Sequence, residues 1–198
     1  ARLLDPKPGE LVADTCAAPG TKATHVAELM ANRGRIVAMD PQAARLKLVA
    51  KAAARLGIGI IEAHVGGAAA LAGRWRSKCD RVLVDAPCSN LGVLRRNPDV
   101  KWRRTEEDLR RLQEKQKTII VAAASMVKPG GRLVYATCSL EPDENEAVVA
   151  SLPGYGTQWQ PDPPQDFPVQ PDPEGFVRLF PHVHGTDGFT AIRLRRTS

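Results

Sequence analysis

The chain has 198 residues, 43% of them hydrophobic and 25% charged, a balance that suits one globular domain with its own core and excludes global disorder. No run approaches the ~20 apolar residues of a membrane-spanning helix, and no signal peptide opens the chain. Lys and Arg number 28 against 22 Asp and Glu, and the net charge of +6 permits a polyanionic partner without requiring one.

In chain order, Leu11 to Thr15 reads as a short buried strand, followed by the small-residue turn Cys16-Ala17-Ala18-Pro19-Gly20. Lys22 to Ala31 reads as a helix and Arg35 to Asp40 as a second strand. Pro41 suits the first turn of a helix that runs to Leu56, with Gly57 as its stop signal. Ile58 to Val65 is a third strand by its β-branched content, and Arg81 to Asp85 is a fourth. Thr105-Glu106-Glu107-Asp108 resembles a capping box with Asp in place of Glu, and it opens a long helix. Leu109, Leu112, Ile119, Ile120 and Ala123 mark that helix's buried face, Pro129-Gly130-Gly131 ends it, and Arg132 to Ala136 is a fifth strand. Such alternation predicts an α/β fold, a mostly parallel doubly wound sheet with helices on both faces.

The stretch 153–175 differs in kind. Six of the sixteen prolines fall between Gly154 and Glu174, and the segment reads as a surface excursion. Phe176 to Phe180 and Phe189 to Leu194 regain strand character and are expected to form an antiparallel pair closing the sheet. The whole chain is read as a single domain, 1–198, expected to be monomeric. Because residue 1 is Ala, the chain is expected to be a piece of a longer protein.

In doubly wound sheets ligands bind at the carboxyl ends of the strands, near the switch in strand order. The loop Cys16, Ala17, Ala18, Pro19, Gly20, Thr21, Lys22 follows the first strand, and its small residues let a ligand approach the backbone. It is not GxGxxG, which weakens the case for a dinucleotide and for a nicotinamide dehydrogenase. Asp40, ending the second strand, is placed to accept hydrogen bonds from a ribose diol, or to cap the turn at Pro41, and both roles are compatible. A ribose-bearing cofactor without pyrophosphate fits this combination, and S-adenosylmethionine is the candidate.

The four cysteines, Cys16, Cys79, Cys88 and Cys138, lack CxxC spacing, which disfavours zinc and a disulfide scaffold, and no metal is expected. Cys79 reads as a small core hydrophobe and Cys16 as a structural member of the cofactor loop. Cys88 and Cys138 follow the fourth and fifth strands, so both fall at the edge that carries the cofactor loop. Carbon 5 of a pyrimidine becomes nucleophilic once a thiolate adds to carbon 6, chemistry for which a cysteine at that edge is suited. Asp85, three residues before Cys88, is the neighbouring acid that could hydrogen-bond or protonate ring nitrogen 3. Spacing alone does not order the roles of the two thiols.

Asp14 to Lys22, Asp85-Ala86-Pro87-Cys88-Ser89 and Tyr135-Ala136-Thr137-Cys138-Ser139 stand in one order at fitting spacing. Together they resemble the RNA 5-methylcytosine methyltransferases of the Sun/Nop2 family. Gly92 to Asp99 through Trp102 is most similar to the bacterial Sun/Fmu branch, which methylates 16S ribosomal RNA; Pro142 to Glu146 and Thr186-Asp187-Gly188-Phe189 also fit. The resemblance implies a Rossmann-like S-adenosylmethionine-dependent fold, with Cys16 to Lys22 around the cofactor, Asp40 on its ribose and Asp85 beside its methionine end and the base. It also implies Cys138 as the nucleophile on carbon 6, with Cys88 assisting product release. Two features depart from the family. Val65-Gly66-Gly67-Ala68 lacks the usual aspartate near the adenine, and only ten residues precede the first strand, so the family's N-terminal RNA-binding domain is expected to be absent from this chain.

Between Arg95 and Lys117 lie nine basic and five acidic residues, a run following the Cys88 loop. Arg95, Arg96, Arg103 and Arg104 are the candidates for RNA phosphates, and Trp102 could stack on a base; a solvated helix face explains the part beyond Thr105. The expected partner is structured RNA, small-subunit rRNA above all, presenting an unpaired or flipped cytosine. The competing readings are a catalytically weak RNA-binding module, motivated by Gly67 and the short N-terminus, and the same chemistry on tRNA. A DNA amino-methyltransferase is disfavoured, since Asp85-Ala86-Pro87-Cys88 is not the Asp/Asn-Pro-Pro-aromatic motif of that chemistry.

Overall fold

Apolar β-branched runs with opposite faces both buried require helices on either side, and the chain supplies them by alternation. The computed structural model describes residues 1–197. Its elements are β1 (Leu11–Asp14), α1 (Thr21–Leu29), β2 (Arg35–Asp40), α2 (Ala43–Arg55), β3 (Ile61–Val65), α3 (Ala68–Trp75) and β4 (Cys79–Asp85). There follow α4 (Val100–Arg103), α5 (Glu106–Met126), β5 (Val127–Thr137), α6 (Glu146–Ala150), β6 (Trp159–Pro161), β7 (Phe176–Leu179), α7 (Pro181–His184) and β8 (Phe189–Arg196). The strands form one sheet in the order β3-β2-β1-β4-β5-β8-β6, with β7 also paired to β8. β1 to β5 are mutually parallel, and β8 runs antiparallel to β5, β6 and β7. The predicted α/β sheet with its closing antiparallel pair is therefore the observed fold.

Strand alternation sorts the core into two layers. Val12, Ile36, Leu83, Val134 and Ala136 pack beneath Val26 and Ala27 of α1 and Met30 at its C-cap. Ala38 meets Leu46 and Val49 of α2 on that face. On the other, Val37, Met39, Val82, Val84, Leu133 and Tyr135 meet Trp75 of α3, Ile120 and Ala123 of α5, and Val148 of α6. Cys79 is fully buried in this second layer, as its reading as a small hydrophobe requires.

Several boundaries differ from the sequence reading. β3 begins at Ile61 rather than Ile58, and α1 stops at Leu29 because Ala31 and Asn32 adopt left-handed backbone. α3, between Val65 and Cys79, has no counterpart in the predicted elements. α5 ends at Met126, before Pro129-Gly130-Gly131, which lies inside β5. There the register against β4 shifts between Cys79 and Arg81, and a Cβ on Gly131 would lie 2.8 Å from the Asp80 carbonyl, so glycine admits the irregularity. The Pro-rich excursion contributes β6, whose Trp159 is buried against the second layer. The predicted capping box is present: Asp108 N–H donates to Thr105 Oγ1, and Asp108 accepts from Thr105 N–H.

Candidate active site

Strand order reverses between β1, which leads outward to β2 and β3, and β4, which leads to β5 and β8. The carboxyl ends of these strands open on a cavity of about 700 Å³, within the usual size for a cofactor site. Cys16, Ala18, Asp40, Asp85, Cys88 and Cys138 line it together.

The remaining residues of the first loop shape the cavity without lining it. Ala17 N–H donates to the Met39 carbonyl, 2.9 Å away, which fastens the loop to β2. Gly20, at φ +114°, precedes α1, and a Cβ there would lie 2.9 Å from Val49 Cα, so glycine permits the close approach of α2. Pro19 is exposed, and Thr21 is the first residue of α1. Lys22 reaches from α1 to form an ion pair with Asp85. Asp40 Oδ1 accepts from Gln42 N–H at 2.8 Å, so it caps the turn into α2 as well as facing the cavity. Arg45 then joins the two loops, with Nη1 3.2 Å from Asp40 Oδ2 and Nη2 donating to the Ala18 carbonyl at 2.9 Å.

The thiols of Cys88 and Cys138 meet, because β4 and β5 are neighbours, with their sulfurs 3.1 Å apart. Asn90 Oδ1 accepts from Cys138 Sγ at 2.8 Å and lies 3.7 Å from Cys88 Sγ. Donation from the Cys88 thiol, assisted by the positive charge of Lys22, holds Cys138 below the ordinary thiol range, against burial and the charge of Asp85. The shared hydrogen bond and burial push Cys88 far above that range, so Cys138 is the thiol of the pair that gives up its proton first. Burial and the neighbouring Asp14 push Cys16 up to about 12, which leaves it a protonated thiol.

A buried polar network supports both thiol loops. The Glu144 carboxylate accepts from Ser89 N–H at 2.8 Å, from Ser89 Oγ and from Gln116 Nε2 at 3.0 Å. Asn145 accepts from Thr137 Oγ1 at 2.7 Å and donates to the Ser139 and Glu141 carbonyls. Two adjacent residues thus each hold one cysteine loop. Asp14, buried at the end of β1, is raised to about 7 by burial and by Asp85, and its Oδ2 has no partner among the described residues.

The four arginines lie outside the cavity on the segment after β4. Arg95 donates to the Gly185 carbonyl, Arg96 pairs with Asp187 at 2.5 Å, and Arg103 pairs with Asp99 at 3.3 Å. Arg104 Nε donates to the Ser89 carbonyl at 3.0 Å, which anchors the Cys88 loop. Trp102 stands 81% exposed beside them, with the Lys101 ammonium over its ring. Sequence reasoning missed Asn90 and Arg45, and it missed the cavity wall formed by Lys115, Thr118 and Ile119 of α5. The helical spacing of the last three was legible, but their exposure to a cavity was not.

Sheet order and cavity together define a Rossmann-like methyltransferase fold. The profile of the family described as 16S rRNA methyltransferase RsmB/F matches residues 1–195, and the chain belongs to that family. It is 41% identical over 202 residues to a Bacillus subtilis protein described as "Probable ribosomal RNA small subunit methyltransferase B", covering 99% of this chain and 45% of that protein. Ribosomal RNA small subunit methyltransferase B of Pasteurella multocida is 38% identical, with 99% of this chain and 44% of the relative covered. The chain therefore spans about half the length of the curated relatives it matches. Among solved structures, NSun6 from Pyrococcus horikoshii with SFG superposes with a TM-score of 0.89 at 33% identity, covering all of this chain and 50% of that one. A methyltransferase homologue from the same organism gives 0.81 at 35% identity, covering 98% and 63%. Among the described residues no helix is long and apolar enough to cross a membrane, and no His/Cys/Asp/Glu group could hold a metal ion.

Proposed function

We propose that this chain is the catalytic domain of an S-adenosylmethionine-dependent methyltransferase acting on carbon 5 of a cytosine in RNA, with 16S rRNA as the substrate. The observation that carries the reading is the pair of sulfurs 3.1 Å apart at the cavity, one on each of two adjacent strand ends, with Asp85 beside them. The residues present suit the cofactor. Asp40, in the cavity wall, offers a carboxylate to a diol. When bound, S-adenosylmethionine supplies an electrophilic methyl group.

The chain's own residues account for the rest. Cys138 as thiolate adds to carbon 6 of the cytosine, forming an S–C bond and shifting the ring's electron pair so that carbon 5 becomes nucleophilic. Asp85, paired with Lys22, is placed to accept a hydrogen bond, which suits the exocyclic amino group of cytosine better than donation to ring nitrogen 3. Once carbon 5 carries the methyl group, its proton passes to water, the C–H electron pair re-forms the ring double bond, and the S–C electron pair returns to Cys138. Cys88, whose thiol lies 3.1 Å from the Cys138 sulfur, assists this release by donating a hydrogen bond to the departing thiolate. Arg95, Arg96, Arg103 and Arg104 follow the Cys88 loop with Trp102, a surface for phosphates and a stacked base; all four already hold protein partners, which phosphates would have to replace or share.

Cys138→Ala is expected to abolish methyl transfer to unmodified 16S rRNA, and Cys88→Ala to accumulate a covalent protein–RNA adduct that survives denaturing gels. Full transfer by Cys138→Ala refutes the nucleophile assignment. Absence of S-adenosylmethionine binding in calorimetry favours an RNA-binding module instead.

A further inference from the structure

Asn90 opens the short 3₁₀ turn Leu91–Val93 in a left-handed conformation, φ 65° and ψ 22°, which asparagine adopts more readily than most residues. An asparagine there ordinarily spends its side chain on the backbone of the turn. This one makes no capping bond, and the turn is served instead by Ser89 Oγ, which accepts from Leu91 N–H at 3.3 Å. Among the described residues the Asn90 side chain has only two hydrogen-bond partners, Cys138 Sγ at 2.8 Å and Cys88 Sγ at 3.7 Å, and it lines the cavity with both.

We propose that Asn90 is a catalytic residue that holds the Cys138 sulfur, accepting from the thiol through Oδ1 and donating to the thiolate through Nδ2 after a half-turn of the carboxamide. The inference rests on the reading of Cys138 as nucleophile. A carboxamide carries a donor and an acceptor on one plane, so it can serve the sulfur in both protonation states without gaining or losing a proton. The proton leaves Cys138 for water before addition. Asn90 then steadies the thiolate beside carbon 6, and the same N–H receives the sulfur again when the S–C bond breaks. The other groups facing this sulfur are Cys88, Asp85 and Lys22; Asp85 and Lys22 carry charge, and the Cys88 thiol already donates its one proton to the sulfur.

The test follows Cys138 alkylation by iodoacetamide against pH, located by peptide mass spectrometry, in the chain and in Asn90→Asp and Asn90→Gly. Glycine keeps the left-handed backbone, and the buried Cys79 reports folding by staying unmodified. Asn90→Asp places a carboxylate on the sulfur, so alkylation at pH 7 is expected to fall about tenfold and its profile to move to higher pH. Asn90→Gly is expected to slow it about threefold, for loss of one hydrogen bond to a charged group in a partly solvated site. The pH profile of kcat should move with each variant while KM for S-adenosylmethionine stays put. Alkylation profiles coinciding with the unsubstituted chain's overturn the proposal, as does a moved alkylation profile with an unmoved kcat profile. Failure of the nucleophile reading shows separately, as transfer by Cys138→Ala.

Discussion

On the β4–β5 side of the cavity, side chains hold side chains: Glu144 grips Ser89, Asn145 grips Thr137 and the Ser139 carbonyl, and Gln116 closes the group, all buried. On the β1–β3 side small residues such as Ala18, Gly67 and Ala68 make much of the wall, with Arg45 tying Asp40 to Ala18 and Thr15 Oγ1 tied to the Leu83 carbonyl. The two halves answer different demands. A nucleophile must be held to a fraction of an ångström before its substrate arrives, whereas a cofactor with many polar groups can complete its own site. The thiol half is therefore organised by side-chain hydrogen bonds that leave only Gln116 Oε1 of that network without a partner among the described residues, and the other half leaves Asp14 Oδ2 without a protein partner.

Glu144→Ala breaks that contrast most severely. It strands three buried donors, Ser89 N–H, Ser89 Oγ–H and the Gln116 amide, and unfolding free energy is expected to drop by about 3–5 kcal/mol. Denaturant titration measures the loss. If stability and Cys138 alkylation both survive, the network does not organise the thiols.

Asp40→Ala tests the other half. Loss of the carboxylate is expected to weaken S-adenosylmethionine binding about 30–100-fold, the worth of charge-assisted hydrogen bonds to a diol. Cys138 alkylation should be unchanged, because Asp40 touches Arg45 and the α2 turn rather than the thiol loops. Coupled loss of both readouts would merge the two halves into one cooperative unit.

Asp14→Asn has a smaller effect, and its sign depends on pH. The folded carboxyl, raised to about 7 by burial and Asp85, binds its proton more tightly than in the unfolded chain. Its contribution to stability is therefore full below the ordinary carboxylate range and lost as pH rises to about 7. The amide removes that loss, so thermal melts should show Asp14→Asn more stable than the unsubstituted chain at pH 8 and close to it at pH 4. Equal shifts at both pH values would mean that Asp14 does not titrate in this way.

Much of this frame was legible in the residues themselves. Alternating runs such as Arg35 to Asp40 announce buried strands because both their faces are apolar, and the strand-end positions of Cys88 and Cys138 follow from the chain order of a parallel sheet. α3 escaped because Ala68 to Trp75 is only eight residues, half of them alanine, with Arg74 as its one polar side chain and so no polar stripe to show a period. The end of α5 was misplaced because Pro129-Gly130-Gly131 is the usual signature of a stop, whereas here β4 needs glycine for the irregular register beside Cys79. Asn90 and Glu144 were invisible for a different reason. Their roles depend on which loops touch, and hydrogen bonds across 48 and 55 residues leave no local pattern.

Gly67→Asp is the mildest change and the most specific to the cofactor half. Gly67 is the N-cap of α3, with extended φ −82° and ψ 169°, and a Cβ placed on it meets nothing within 4 Å. Aspartate therefore enters without strain, and as a favoured N-cap it should stabilise α3 by a few tenths of a kcal/mol over glycine. Because position 67 lines the cavity, the new carboxylate can also meet the cofactor's adenine amino group, for about 1 kcal/mol, or roughly fivefold tighter binding. Calorimetry separates the two contributions, since N-capping alone raises thermal stability of the free chain and leaves affinity unchanged. An affinity gain without change in Cys138 alkylation would show that the cofactor half can be rebuilt by one side chain while the thiol half stays as it was.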